Sequence, residues 1–119
     1  MREIFQKQLS ADGYSCINCV SRPATITAYT KCDYWLDAMN DYVDANIELV
    51  KETVSKIPQI KMYECQGTYL VWLDMSGLGM NDEELDLFLR NECGIIQDPG
   101  YWFGKAGEGF TRLNVACPN

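Results

Sequence analysis

The sequence predicts an α+β fold, in which a small, mostly antiparallel sheet has helices packed on one side. Apolar residues recur at three- and four-residue steps over residues 33–57, which is typical of an amphipathic helix. A nearly continuous apolar run at 69–74 and an alternating segment at 110–117 are both typical of strands. With 119 residues, 47% of them apolar, the chain can form one domain with a hydrophobic core.

Three helices are predicted in the first half of the chain. The first covers residues 2–9, and Pro23 can open a second that ends near residue 31, an assignment that rests partly on a family resemblance. The third covers 33–57, where Asp33 can cap the first turn and Pro58, which has no amide hydrogen, ends the helix. We expect its apolar stripe to be core: Trp35, Leu36, Met39, Tyr42, Val43, Ile47, Val50, Val54 and Ile57.

An antiparallel hairpin is predicted next, from strands at 61–64 and 69–74 that turn near Gln66 and Gly67. The second strand is apolar at every position from 69 to 73, which predicts burial on both faces. We therefore expect it to be the central strand of the sheet, with a helix packed against it.

A fourth helix is predicted to begin at Asn81, because Glu84 lies three residues on in a capping-box pattern. Its buried face is expected to contain Leu85, Phe88 and Leu89. Gly94 can adopt the left-handed conformation that ends a helix, and we expect a short strand at Ile95 and Ile96.

The last predicted strand contains one arginine, Arg112, behind a glycine-rich loop. Alternation places Arg112 on one face with Phe110, Asn114 and Ala116. The opposite face would carry Thr111, Leu113, Val115 and Cys117. A guanidinium in a partly desolvated cleft needs an anion and suits a carboxylate, while a salt bridge within the fold is the other interpretation.

The glycine-rich loop, residues 100–109, matches neither common nucleotide-binding motif. Gly100 and Gly104 enclose three residues where a P-loop has four, and Lys105 precedes Ala106 rather than Ser or Thr. The spacing of Gly104, Gly107 and Gly109 reverses the dinucleotide fingerprint and leads into a strand. These glycines are expected to let the backbone turn tightly beside a cleft.

Charge and cysteine content exclude several classes of function. The net charge of −7 disfavours nucleic acid and anionic lipid surfaces, and no apolar run approaches the length of a membrane helix. Cys16 and Cys19 have a redox or zinc spacing, but the chain has no histidine and no second close pair, so we expect neither a metal site nor a disulfide. A cytoplasmic protein with reduced thiols is the expectation.

Five sequence blocks follow one another along the chain. A helix starts with Trp-Leu-Asp at 35–37, and a buried strand at 68–74 reads TYLVWLD. An acidic helix, an FGxxGxGF loop at 103–110 and an RLNxAxP strand at 112–118 follow in order. Together these blocks resemble the C-terminal region of the fold-type I pyridoxal-phosphate enzymes, in particular the aminotransferase-like C–S β-lyases of the cystathionine β-lyase (MalY/PatB) group. The resemblance covers residues 24–118.

The resemblance implies a function that belongs to a longer protein. Residues 1–22 would be the linking helix and loop behind a large domain, and 23–119 the small C-terminal domain, truncated before its last helix. Arg112 would bind the α-carboxylate of an amino-acid substrate, with Asn114 as a candidate to support it. The whole enzyme, a homodimer, would use pyridoxal phosphate to eliminate thiol, pyruvate and ammonia from cystathionine or a cysteine conjugate.

Two departures from the family bear on this fragment. None of the lysines resembles the one that holds the cofactor, so the fragment alone should bind no pyridoxal phosphate and be inactive; they are Lys7, Lys31, Lys51, Lys56, Lys61 and Lys105. Asn119 follows Pro118 where the family typically has arginine. The alternatives are a pyridoxal-phosphate aminotransferase and, from another class, a free-standing module that binds small carboxylates.

Overall fold

The computed structural model describes residues 1–14 and 17–118, and the chain divides into two compact units, Met1–Met39 and Asn40–Asn119. The first unit holds helix α1 (Arg2–Ala11), helix α2 (Ser21–Lys31) and the first turns of helix α3 (Asp33–Val54). The three predicted helices are therefore confirmed, although α3 ends at Val54, four residues before Pro58, and α2 begins two residues before Pro23. That proline lies in the first turn, where its missing N–H costs no helix bond.

The second unit contains the rest of α3, helix α4 (Asp82–Asn91) and, in the described part of the chain, a four-stranded sheet. The strands are β1 (Lys61–Met62), β2 (Leu70–Asp74), β3 (Asp98–Pro99) and β4 (Phe110–Asn114). Their order is β1-β2-β4-β3, and all three pairings are antiparallel. The predicted hairpin and central strand are confirmed, because β2 pairs with both β1 and β4.

The core lies on one face of this sheet, which we call the core face. Val71 is fully buried there, and the register places Val71 opposite Leu113 and Leu73 opposite Thr111. Val43 of α3 and Leu85 and Leu89 of α4 complete the same cluster. Both helices therefore cover the core face, and the α+β prediction with helices on one side is confirmed.

Helix α4 has the start and the end that its sequence predicts. The Asn81 side chain accepts a hydrogen bond from the Glu84 amide at 3.0 Å, and the Glu84 carboxylate accepts one from the Asn81 amide at 3.0 Å. Gly94 has a φ of 67°, and the Ile95 amide behind it bonds back to the Leu89 carbonyl at 2.9 Å. Both helix ends thus satisfy backbone groups that the helix leaves open.

A buried asparagine joins α3 to the chain that follows β4. Asn46 is 4% exposed, and its Nδ2 donates to the carbonyl oxygens of Val115 at 2.7 Å and Cys117 at 3.1 Å. Asn46 lies three positions after Val43, where the apolar stripe of the helix would place another apolar residue. This polar residue within the stripe is the feature of the sequence that could have indicated the contact. Sequence analysis did not single it out.

The apolar stripe of α3 is only partly core, contrary to the prediction. Val43 is buried, and Ile47, Val50 and Val54 pack against the core, but Trp35 is 59% exposed and Leu36, Tyr42 and Ile57 are exposed as well. Among the described residues of the first unit none is buried, so its apolar side chains have no core to enter. Asp33 is the first helical residue rather than the cap.

Three strand predictions also need correction. Ile95 and Ile96 form no strand, and the short strand is Asp98–Pro99, because those residues reach the register of β4. Strand β4 ends at Asn114, so Cys117 is an exposed residue beyond it rather than part of the apolar face. In β2 only alternate residues are buried, since Leu70 and Trp72 lie on the face that neither helix covers.

Candidate functional site

Arg112 lies on the second face of the sheet, which we call the open face and define by Trp72, Asp98, Phe110 and Arg112. The register of β4 places Arg112 directly opposite Trp72 on β2 and directly opposite Asp98 on β3. Residues directly opposite one another on neighbouring strands point to the same face. The predicted alternation is therefore confirmed within β4, where Thr111 is buried on the core face, and Val115 directly after the strand is buried as well.

The guanidinium of Arg112 forms an ion pair with Asp98. Its Nη2 and Nε both donate to the same carboxylate oxygen, Oδ2, at 2.6 Å and 3.1 Å. The side chains of Arg112 and Asp98 are 33% and 40% exposed, so water can reach the ion pair. Pairs with this exposure stabilise a fold by about 0–1 kcal/mol. The salt-bridge interpretation is thus correct in geometry, but the stabilisation it provides is small.

Aromatic rings form the surroundings of this ion pair. Arg112 Cζ lies 4.6 Å from the centre of the Phe103 ring, within the range of a cation–π contact. Phe103 meets Trp72 edge-on at 5.6 Å, and Trp72 stacks on Phe110 at 5.7 Å with an interplanar angle of 16°. The open face therefore presents a cation beside an apolar wall.

The glycine-rich loop carries Phe103, and its backbone turns tightly, as expected of the glycines. A Cβ at Gly100 would lie 2.1 Å from the Gly107 carbonyl oxygen, and one at Gly107 equally close to that of Gly100. Gly109 donates its amide to Asp82 Oδ1 at 2.8 Å and accepts from the Met75 amide at 2.9 Å. The loop is thereby attached to the start of α4 and to the end of β2.

Asn114, the candidate supporting residue, lies on the same strand as Arg112, but its side chain bonds to a neighbouring backbone amide. Its Oδ1 accepts a hydrogen bond from the Ala116 amide at 2.9 Å, and its side chain is exposed. No hydrogen bond joins it to Arg112 in the described part of the chain. Tyr101 and Trp102 are exposed and pack edge-on against each other at 6.5 Å.

Asp98 is the site residue that sequence analysis missed. Its only signal was its position, two residues before Gly100 and ahead of the conspicuous loop. Pairing with Arg112 depends on the antiparallel register of β3 and β4, which a two-residue strand does not reveal in sequence.

The carboxyl of Asp74 has local hydrogen-bond partners. The pKa of the Asp74 carboxyl lies below its ordinary value because the Ser76 hydroxyl and the Ser76 amide donate to the same oxygen, at 2.6 Å and 3.0 Å.

Within residues 1–14 and 17–118, no cluster of three metal-ligating side chains occurs, and no helix is both long and apolar enough to cross a bilayer. Cys16 lies outside the described residues, so the predicted absence of a Cys16–Cys19 disulfide or zinc site stays a prediction.

The chain is similar in sequence and fold to several known enzymes. Cystathionine β-lyase PatB of Bacillus subtilis is 34% identical over 117 residues, which are 98% of this chain and 30% of PatB. The structure of cystalysin from Treponema denticola, which contains a pyridoxal 5′-phosphate cofactor, matches with a TM-score of 0.82 at 35% identity, over 98% of this chain and 30% of cystalysin.

An aminotransferase is also among the relatives. Aspartate aminotransferase of Pyrococcus horikoshii is 28% identical over 95 residues, which are 78% of this chain and 24% of that enzyme. No protein-family model matches the chain. The chain spans about 30% of the length of the curated relatives that it matches first.

Proposed function

We propose that this chain, a homologue of the PatB/MalY cystathionine β-lyases with the fold of the C-terminal domain of aminotransferase-like pyridoxal-phosphate enzymes, is the small domain of a C–S β-lyase. In this proposal residues 1–22 form the link to a large domain, and residues 23–119 form the small domain. The complete enzyme would be a cytoplasmic homodimer that cleaves cystathionine or another cysteine thioether.

The observation that carries the proposal is the partly exposed Arg112 on the open face. Asp98 binds one edge of the guanidinium, and the Arg112 side chain is still 33% exposed. A guanidinium has five N–H donors in a rigid fork, so donors remain for a second carboxylate. We propose that this second carboxylate is the α-carboxylate of the substrate.

Binding of the substrate carboxylate at Arg112 would raise the reaction rate by orienting the amino acid in the site. A carboxylate held by two parallel hydrogen bonds has a defined plane and distance, which restricts how the rest of the amino acid lies in the site. The aromatic wall of Phe103, Trp72 and Phe110 would exclude water from one side of that ion pair. A lower local water content strengthens each charge-assisted hydrogen bond.

The chain does not itself fit pyridoxal phosphate, so we derive no step through that cofactor. A cofactor lysine must lie in an enclosed site, whereas all six lysines of the chain are exposed. The cofactor, which acts as an electron sink in such enzymes, would be held by the large domain, and the isolated chain would be inactive.

An aminotransferase is the second candidate, favoured by the similarity to the Pyrococcus horikoshii enzyme. A carboxylate-binding arginine serves both reactions, because each begins with an oriented amino acid. The products distinguish them: a lyase releases pyruvate from cystathionine without a keto-acid acceptor, and an aminotransferase consumes one. A free-standing carboxylate-binding module would do neither.

A hybrid enzyme tests the proposal. The region of Bacillus subtilis PatB that matches this chain is replaced by the chain, and pyruvate release from cystathionine is followed. We expect Arg112→Ala to lower kcat/KM by a factor that corresponds to about 2–5 kcal/mol, the range for removing one partner of a desolvated charge pair. Arg112→Lys should restore little, because a point charge cannot reproduce the fork.

The matched control is Arg90→Ala, which removes the same charge from an exposed pair with Asp86 on α4. It should change kcat/KM less than about twofold, since exposed pairs contribute little. Cofactor absorbance must persist in every variant, which shows that the hybrid is folded. A hybrid that keeps its cofactor but loses less than about threefold with Arg112→Ala would contradict the proposal.

A further inference from the structure

We infer that Asp98 and Phe103 are positioning residues that hold the Arg112 guanidinium so that its Nη1–Nη2 edge receives the incoming carboxylate. The inference rests on the proposed function, because it states how the proposed carboxylate site is prepared. Neither residue would touch the substrate; both would act through Arg112.

The donor geometry of the ion pair supports this inference. A guanidinium can bind a carboxylate along the edge formed by Nε and Nη2 or along the edge formed by Nη1 and Nη2. Asp98 uses one oxygen to accept from Nε and Nη2, so it occupies the first edge. Nη1 has no hydrogen-bond partner among the described residues, so the second edge keeps donors for a bidentate carboxylate.

Three neighbours restrict the orientation of the guanidinium. Asp98 and Trp72 lie directly opposite Arg112 on the two adjacent strands, so both flank it on the open face. Phe103 places its ring 4.6 Å from Arg112 Cζ. An arginine has a flexible stem, and holding it in one orientation before the substrate arrives reduces the entropy lost on binding.

Backbone contacts of β3 and of the loop hold Asp98 and Phe103 in the fold. Asp98 pairs with β4 through the register of β3, and Phe103 ends the 3₁₀ turn that begins at Gly100. Gly100 packs against Gly107 without space for a Cβ, which ties this turn to the next one. Phe103 itself is 53% exposed, so its place depends on the backbone of this turn, whereas the place of Asp98 depends on the pairing of β3 with β4.

Charge alone could also explain an effect of Asp98 on catalysis, and a matched pair of variants separates the two causes. Asp98→Asn and Asp98→Ala remove the same negative charge, which in either case would favour an incoming carboxylate. Asparagine keeps an oxygen that can accept from Nε, whereas alanine keeps none. Positioning predicts that the two variants differ, and a pure charge effect predicts that they do not.

The first measurement uses the chain alone and needs no activity. In ¹⁵N-labelled protein the Nε–H signal of Arg112 is assigned by its loss in Arg112→Lys, and its exchange with water is measured. We expect exchange at least about tenfold faster in Asp98→Ala than in the unmodified chain, with Asp98→Asn between them, because a hydrogen-bonded N–H exchanges more slowly. Asp86→Ala, which breaks the exposed pair with Arg90, should leave the Arg112 signal unchanged.

The second measurement uses the hybrid enzyme described above. We expect kcat/KM to be about fivefold or more lower in Asp98→Ala than in Asp98→Asn, because only alanine removes the acceptor that orients Nε. Phe103→Leu keeps an apolar side chain but no ring face for the guanidinium. It should also lower kcat/KM, by a smaller factor than Asp98→Ala does. Unchanged Nε–H exchange in Asp98→Ala, or equal kcat/KM for the two Asp98 variants, would overturn the inference.

The two proposals can fail separately. If Arg112→Ala leaves the hybrid active, the carboxylate-binding function is wrong whatever the exchange data show. If Arg112→Ala abolishes activity and Asp98→Ala does not change Nε–H exchange, Arg112 binds the substrate but Asp98 does not orient it.

Discussion

Replacing Asn46 tests the joint between α3 and the chain after β4. In Asn46→Ala, the carbonyl oxygens of Val115 and Cys117 lose the donor that now lies 2.7 Å and 3.1 Å away. Val115 is 4% exposed, so water cannot easily replace the donor there, whereas Cys117 is exposed. The change should therefore act mainly through one unpaired buried carbonyl.

The magnitude follows from four contributions. An unpaired buried carbonyl costs about 1–3 kcal/mol, and the exposed hydrogen bond to Cys117 adds about 0.5–1 kcal/mol. Alanine is the better helix former by about 0.6 kcal/mol, which offsets part of this loss. Asn46 Oδ1 has no hydrogen-bond partner in the described part of the chain, so its removal is also slightly favourable. We expect a net loss of about 1–3 kcal/mol in the free energy of unfolding.

Urea unfolding followed by far-UV circular dichroism measures this loss, and Asn40→Ala is the matched control. Asn40 is an exposed residue of the same helix, so the same substitution there should change stability only through helix propensity. A difference between the two variants of less than about 0.5 kcal/mol would refute the reasoning.

Asn46→Asp sharpens the test through its pH dependence. Burial beside two carbonyl oxygens disfavours the ionised form, so the pKa of the introduced carboxyl should rise above the ordinary value of about 3.9. The ionised form cannot donate, and the loss of stability should exceed that of Asn46→Ala at pH 7. As the pH falls through the raised pKa, the carboxyl can donate again and the deficit should shrink.

Two further predictions concern the loop and the end of β2. Gly107→Ala should cost about 1–3 kcal/mol of stability, because its Cβ would meet backbone atoms of Gly100 that cannot yield without moving the loop. Gly67→Ala, where a Cβ meets nothing within 4 Å, should change stability by less than about 0.5 kcal/mol in the same urea experiment. Ser76→Ala should raise the pKa of the Asp74 carboxyl towards its ordinary value, as measured by ¹³C NMR titration, because it removes the hydroxyl donor and leaves only the amide.

Each of these predictions has a contrary outcome. Equal stability of the two glycine variants would mean that the contact between Gly100 and Gly107 is not tight in solution. An unchanged Asp74 pKa in Ser76→Ala would mean that the hydroxyl does not donate to it. Because the folded pKa is lowered, the stabilisation from Asp74 is present above the ordinary Asp pKa and is lost as the pH falls through the folded value, so Ser76→Ala should weaken this pH dependence.

Local sequence patterns determined the four helices, the hairpin and the face on which Arg112 lies. The capping box at Asn81, the left-handed Gly94 and the alternation through Arg112 each depend on residues a few positions apart, and the structure confirms all three. Such signals are readable in sequence because neighbouring backbone groups and side-chain periodicity produce them. The family blocks added the carboxylate role of Arg112, which stays a proposal.

Only the tertiary structure decided what Arg112 contacts and how far the apolar stripe is buried. The partner Asp98 depends on the register of a two-residue strand, and the shift of that strand away from Ile95 and Ile96 could not be read from local propensity. Trp35 fits the same helical period as Val43, yet one is exposed and the other buried. Periodicity specifies which side chains share a helix face, and burial depends on whether another element covers that face.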